Sequence, residues 1–340
     1  MNFYTLTSKG STFTFKQWII YSFISSLLIF VLIFTTNYIV DPYKITNYNL
    51  LDIKHKITGD NRAEKVNYFS TKNRFDNILI GSSRVYSINP AAVTNLIGGT
   101  TYNFGIGSAT IEDILGITKY LERTNKLPNN LIVGIDFYTF NKDIPANSYF
   151  LKNKELNFLS HGEYSENYVE KLFSFDAFKA SIKTLKIHVL KKKQSEKFNS
   201  LGWCGRYEDY SKKVIDLDFV NVKKNINEKE TQYYSDYKYS KIDQKRVLYL
   251  EELKNISKKN GINLYIFNTP MHPLLLKIIE TNSNLKLAKQ EFINYLNTFE
   301  NFTNLYHDED IYGDLKNFND AVHTSSNAGD LILQKVLKKN

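Results

Sequence analysis

The hydrophobic pattern of this chain falls into two regimes. Between Lys16 and Asp41 no charged residue interrupts a run through Trp18-Ile19-Ile20, Leu27-Leu28-Ile29-Phe30-Val31-Leu32-Ile33-Phe34 and Ile39-Val40. A helix crosses a bilayer with about 20 apolar residues, so the run predicts one transmembrane helix over 17–40. Trp18, Tyr21 and Tyr38 at its edges suit interfacial belts, which favours an anchor over a buried core helix. A cleavable signal has a shorter apolar region and then a small-residue cleavage site, whereas this run ends in Thr35-Thr36-Asn37-Tyr38, so the anchor is expected to be retained. Lys9 and Lys16 precede it and Lys44, Lys54 and Lys56 follow, which leaves the positive-inside count nearly neutral. A short tail ahead of a large folded domain predicts the tail in the cytoplasm and the domain outside.

After residue 70 the pattern changes to short apolar runs alternating with helix-period stretches, the signature of a parallel sheet covered by helices. Asn77-Ile78-Leu79-Ile80, Thr101-Tyr102-Asn103-Phe104 and Asn130-Leu131-Ile132-Val133-Gly134-Ile135 read as strands running into glycine or a turn, with helices over 90–96 and 111–121. The alternation resumes with a helix over 242–259, the strand Asn263-Leu264-Tyr265-Ile266-Phe267, a helix over 286–299, a short strand over 303–306 and a last helix over 326–338. Residues 141–240 carry no comparable strand signal. They predict an insertion or cap with a helix over 176–190 and a mobile loop over 221–239. The expected organisation is a tail (1–16), an anchor (17–40), a linker (41–70) and an α/β domain (71–340) with the insertion at about 141–240.

Composition narrows the class. At 340 residues, 42% hydrophobic and 23% charged, the chain buries a core without staples, and its single Cys204 cannot close an intramolecular disulfide. Lys+Arg 44 against Asp+Glu 35 gives +9, which suits anionic lipid, an acidic polymer or nucleic acid. The lysines at 191–193 and 254–259 lie in amphipathic stretches, so they read as solvated helix faces, and no nucleic-acid module is recognisable.

Ligands of an open α/β sheet sit beyond the carboxyl ends of its strands, so the residues after each strand carry the chemistry. The first strand runs into Gly81-Ser82-Ser83-Arg84, where a serine hydroxyl can project into a crevice; alone, the segment equally reads as a helix cap or phosphate-binding turn. Near the other end, Asp320-Ala321-Val322-His323 precedes the last helix. A serine nucleophile needs a base, and the base needs a carboxylate to hold its tautomer; Asp320 and His323 offer both from one loop.

Together these segments resemble the SGNH (GDSL-like) hydrolase superfamily, whose serine follows the first strand and whose Asp-x-x-His precedes the final helix. The resemblance implies a three-layer α/β/α, flavodoxin-like fold with a parallel sheet, carried behind one transmembrane helix. It makes Ser83 the nucleophile, His323 the base and Asp320 its partner, with Ser82 where the family has aspartate. Asn103-Phe104-Gly105-Ile106-Gly107-Ser108-Ala109-Thr110 is similar to the second block, with the oxyanion glycine falling on Gly107 or Ser108. Gly134-Ile135-Asp136-Phe137 occupies the third block, with Asp136 in place of an oxyanion asparagine. Gly107, Ser108, Arg84 and Asp136 are thus the implied oxyanion or substrate residues.

The anchor, Val40-Asp41-Pro42-Tyr43 and the Gly-Ser-Ser-Arg turn look most like membrane-anchored members similar to DltD and AlgJ/AlgX-type polysaccharide acylation proteins. Those relatives imply a cytoplasmic-membrane location with the domain facing the periplasm or cell exterior, a cell-surface glycan as partner and a polytopic O-acyltransferase beside it. The expected function is acyl transfer or ester hydrolysis on that glycan; the rival is a non-catalytic glycan-binding or scaffold module on the same fold. Neither a cofactor nor a metal is expected: Gly105-x-Gly107 lacks the third glycine of a dinucleotide fingerprint, and His307 with Asp308, Glu309 and Asp310 reads as an exposed acidic loop. His272, between Pro270 and Pro273, could line the crevice but reads rather as part of a rigid turn, and insertion aromatics that could stack on sugars read rather as core or surface residues.

Overall fold

The computed structural model describes residues 14–42, 50–51, 53, 65–66, 69, 74–146, 172–190, 199–204, 219–234 and 238–338. The expected 1–16 tail, 41–70 linker and 141–240 insertion therefore lie partly outside the described residues. In chain order the first elements are α1 (Phe15–Val40), β1 (Asn77–Ile80), α2 (Pro90–Ile97), β2 (Thr101–Asn103), α3 (Ile111–Arg123), β3 (Asn130–Ile135) and α4 (Phe175–Val189). They are followed by α5 (Phe219–Tyr234), α6 (Gln244–Lys259), β4 (Asn263–Asn268), α7 (Pro273–Thr281), α8 (Ser283–Leu296), β5 (Phe302–Thr303), the single turn α9 (Glu309–Tyr312) and α10 (Ser326–Leu337).

Residues 1–59 and 167–194 make one compact unit, and 60–166 with 195–340 make another. In the first unit, Thr14 opens α1 with a capping box: its hydroxyl accepts from the Gln17 N–H, and the Gln17 side chain returns to the Thr14 N–H. The 26 residues of α1 span about 39 Å at 1.5 Å per residue, and the helix is long and apolar enough to cross a membrane. It packs against α4, a segment that belongs by sequence to the expected insertion.

The second unit is built on a five-stranded, all-parallel sheet in the order β2-β1-β3-β4-β5. An asparagine ladder helps set the register. Asn77, Asn130 and Asn263 stand side by side, and Asn130 and Asn263 donate their amides to Asn77 and Asn130 at 2.7 and 2.8 Å. Strand residues are buried on both faces, as in a sheet covered on two sides. Ile78, Ile80, Leu131, Val133 and Ile266 enter one core with residues of α3, α6 and α8; Leu79, Ile132 and Phe267 enter a second with Val93 of α2 and Ile332, Leu333 and Val336 of α10. The chain leaves β1 toward β2 on one side and later adds β3 on the other, so the strand order reverses beside β1, where α/β sheets open a crevice.

Three local expectations are corrected. The stretch expected as a mobile loop over 221–239 is largely the helix α5, whose Lys, Glu and Gln favour helix and which buries Ile226 and Tyr234. The last strand is shorter and earlier than the expected 303–306, covering Phe302–Thr303. Helix α7 was not anticipated, because the two prolines read as a turn. Pro273 instead occupies its first turn, where no N–H is missed, and the His272 ring caps it by accepting from the Leu274 N–H at 3.2 Å.

Close approach at the strand ends depends on glycine. A Cβ at Gly81, Gly105 or Gly134 would lie 2.6–2.7 Å from a methyl of the fully buried Val85, so the ends of β1, β2 and β3 have room for that side chain only because all three positions lack one. Gly134→Ala is therefore expected to destabilise the fold by roughly 1–3 kcal/mol through overpacking. Adding Val85→Ala should recover part of the loss, which denaturant unfolding of the detergent-solubilised protein measures; equal stability of wild type and Gly134→Ala would refute this account.

Candidate active site

The turn after β1 is built from its own hydroxyls. Gly81 and Ser82 lead into a 3-10 turn, Ser83–Val85, and the Ser82 hydroxyl caps it by accepting from the Arg84 N–H at 3.1 Å. The Val85 and Tyr86 N–H groups donate to the carbonyls of Ser82 and Ser83, which leaves the Ser83 N–H outside the turn's own bonds. Asn103, the last residue of β2, then clamps the segment: its amide donates to the Val85 and Ile88 carbonyls at 2.8 and 3.0 Å, and its carbonyl oxygen accepts from the Gly105 N–H. Sequence placed Asn103 only within a similar block; its clamping role follows from three contacts that no spacing encodes.

The histidine comes from the other end of the chain. Phe318 and Thr324 pair as an antiparallel bridge, and Asn319 closes the loop between them with its N–H on the His323 carbonyl and its amide on the Thr324 carbonyl. Within this loop Asp320 Oδ1 accepts from the Val322 and His323 N–H groups, both at 2.8 Å, and Oδ2 bonds His323 Nδ1 at 2.7 Å. Two contacts bring the loop to the serine turn: the Ser87 and Thr324 hydroxyls bond at 2.9 Å, and Gly329 of α10 lets the helix approach the Ser87 carbonyl, from which a Cβ would stand only 2.9 Å away. Ser83 Oγ then lies 2.8 Å from His323 Nε2, although the residues are 240 apart in sequence.

The charges fit this order. Burial alone would raise the Asp320 pKa, but the hydrogen bond and charge of His323, with the Val322 and His323 amides, outweigh it and hold the carboxyl at about 2. An ionised Asp320 only accepts, so it assigns the proton to Nδ1 and leaves Nε2 to accept from the Ser83 hydroxyl. His272 stands close by, its N–H on the Ala321 carbonyl; burial lowers its pKa against the opposing pull of Asp320, which favours a neutral capping ring.

The remaining sequence candidates divide. Gly107 and Ser108 form the turn between β2 and α3; Ser108 is exposed with φ +51°, and the Ile106 N–H on the Gly81 carbonyl fastens this loop beside the serine turn. Arg84 and Asp136, which the resemblance implies as oxyanion or substrate residues, are both buried. Arg84 Nε stands 3.6 Å from Asp136 Oδ1, the guanidinium lies over the Tyr138 ring, and Thr269 donates its hydroxyl to the same carboxylate. The physical reason is topological: Asp136 follows β3 and Arg84 follows β1, adjacent strands, so the arginine neutralises the carboxylate inside the protein. No protein-family model matches this chain, and no curated protein matches it in sequence.

Two outcomes follow from these contacts. Because the folded-state pKa of Asp320 lies below its ordinary 3.8, its contribution to stability is present above about pH 4 and is lost as pH falls through about 2. Thermal unfolding across pH 2–6 should therefore show a stability difference between wild type and Asp320→Asn of up to about 2 kcal/mol that shrinks in this window. Arg84→Met should cost roughly 3–5 kcal/mol by leaving the Asp136 carboxylate without its cation, and Asp136→Asn in that background should restore part of it, read by denaturant unfolding.

Proposed function

We propose that the chain is a membrane-anchored, SGNH-like O-acyltransferase or esterase acting on a cell-surface polysaccharide through Ser83, His323 and Asp320. The observation that carries this reading is the continuous hydrogen-bonded chain from Ser83 Oγ through His323 to Asp320, set at the carboxyl ends of the strands. The 2-1-3-4-5 strand order, common to flavodoxin-like sheets, supports the finer fold assignment, with Ser83 and Asp136 beside the reversal of strand order.

In this reading, Ser83 Oγ attacks the acyl carbonyl of a donor ester while His323 Nε2 takes the hydroxyl proton, and Asp320 stabilises the imidazolium. The Ser83 N–H donates to the developing oxyanion, with the Gly107–Ser108 turn beside it; Asp136, an acceptor held by Arg84, takes no part as donor. The donor alcohol leaves with the proton from His323, and Ser83 retains the acyl group as an ester. A sugar hydroxyl, or water in the esterase case, gives its proton to His323 and attacks this ester, which frees Ser83. The α1 anchor keeps the site at the cytoplasmic membrane, facing the periplasm or cell exterior, where a polytopic O-acyltransferase supplies the acyl group.

A serine-directed fluorophosphonate tests the reading. Wild-type protein should label at Ser83, and Ser83→Ala should abolish labelling and acyl-ester turnover while leaving the melting temperature within a few degrees. His323→Ala should reduce labelling by about 10³-fold or more. Folded wild-type protein that fails to label would leave the non-catalytic glycan-binding scaffold as the better account.

A further inference from the structure

We infer that α4 is a membrane-interface helix, lying along the bilayer surface with an apolar stripe in the acyl boundary and a lysine row on anionic lipid headgroups. This goes beyond the proposed chemistry and rests on α1 as the membrane span. Three faces of α4 carry it. One face consists of the small buried residues Ala177, Ser181 and Thr184. A second places Phe175, Phe178, Ile182, Leu185 and Val189 at i, i+3, i+7, i+10 and i+14, a single line on a helix. Phe175, Ile182 and Val189 on it are 59, 47 and 71% exposed. The third holds Lys179, Lys183 and Lys186, each one position after a stripe residue and each exposed. The Lys179 ammonium lies 4.9 Å from the centre of the Phe175 ring and 3.4 Å from the exposed Asp176 carboxylate.

The occupant of the stripe follows from where α4 is fastened. Asn37, a polar residue in the last turn of α1, donates to the Leu172 and Ser174 carbonyls at 2.8 and 3.1 Å and accepts from the Ser181 hydroxyl at 2.9 Å. Phe173 packs on Phe34 and Phe30 with ring centres 5.0 and 6.4 Å apart. These contacts seat the start of α4 at the carboxyl end of a helix whose apolar surface is otherwise exposed from Phe15 to Leu32. The stripe therefore continues the apolar surface of α1 at the level where that helix leaves the hydrocarbon, and the lysines meet phosphate there. An amphipathic helix with aromatic and aliphatic residues on one face and lysine on the other partitions into this layer.

Site-directed spin labelling of the full-length protein tests the inference. Single cysteines at Ile182, Val189 and Lys183, and at Leu28 as the α1 reference, are introduced with Cys204→Ser and reconstituted into phosphatidylcholine nanodiscs with or without phosphatidylglycerol. With the anionic lipid, oxygen collisions should exceed those of a water-soluble nickel chelate at 182 and 189, and the order should reverse at 183. The depth at 182 should decrease without phosphatidylglycerol, and also in the Lys179→Gln/Lys183→Gln/Lys186→Gln variant. A deep Leu28 site with water-facing 182 and 189 sites overturns the α4 placement alone; a water-facing Leu28 site overturns the anchor itself. Sites at 182 and 189 that are wet in nanodiscs but shielded in native membranes also overturn the lipid assignment, giving the stripe to a membrane protein partner. Depth indifferent to both phosphatidylglycerol and the lysines overturns the headgroup contact.

Discussion

The candidate site depends on one close-packed contact, the seating of Val85 among Gly81, Gly105 and Gly134. Three adjacent strands carry glycine at or just beyond their carboxyl ends, and the turn carrying Ser83 sinks its valine into the space. Dense packing makes this seat intolerant of a single added carbon, so the turn has one depth and one orientation relative to the sheet. Asn103 secures the same segment by hydrogen bonds, and Ser82 caps its start. A side chain on a turn held this way is ordered before any ligand arrives.

The second half of the site is held by polar closure. The loop from Phe318 to Thr324 satisfies its own backbone groups through Asn319 and Asp320, and Asp320 serves twice, capping backbone N–H groups with one oxygen and orienting His323 with the other. Ser87 with Thr324, and Gly329 against Ser87, join this loop to the turn. The serine–histidine distance is thereby set by contacts that flank the two side chains. The buried Arg84–Asp136 pair follows the same rule: a carboxylate at a strand end has its charge balanced inside the protein.

The unit that holds α1, a helix long and apolar enough to cross a membrane, invites a different physical rule. Where hydrocarbon rather than water is the solvent, a helix gains nothing by hiding apolar side chains, and association depends on small packing residues and hydrogen bonds. Asn37 and the Ala177, Ser181, Thr184 face of α4 match that requirement. Hydropathy announces α1, but the partnership of α1 with α4 is invisible in the sequence, since 137 positions separate Asn37 from Ser174 and neither carries a recognisable motif.

What the sequence determined by itself is whatever local physics writes locally. The uncharged run of α1, the apolar strands, the serine after β1 and the aspartate three before a histidine at the head of α10 are each legible within a few residues. Helix α5 escaped because polar helix formers resemble a loop in composition, and α7 because its prolines mark a first turn as readily as a break. The tertiary structure alone decided the strand order, the 2.8 Å meeting of Ser83 with His323, the burial of Arg84 against Asp136 and the pairing of α1 with α4. Those outcomes turn on distance in space between residues far apart in the chain, and only the packing of the complete chain settles such distances.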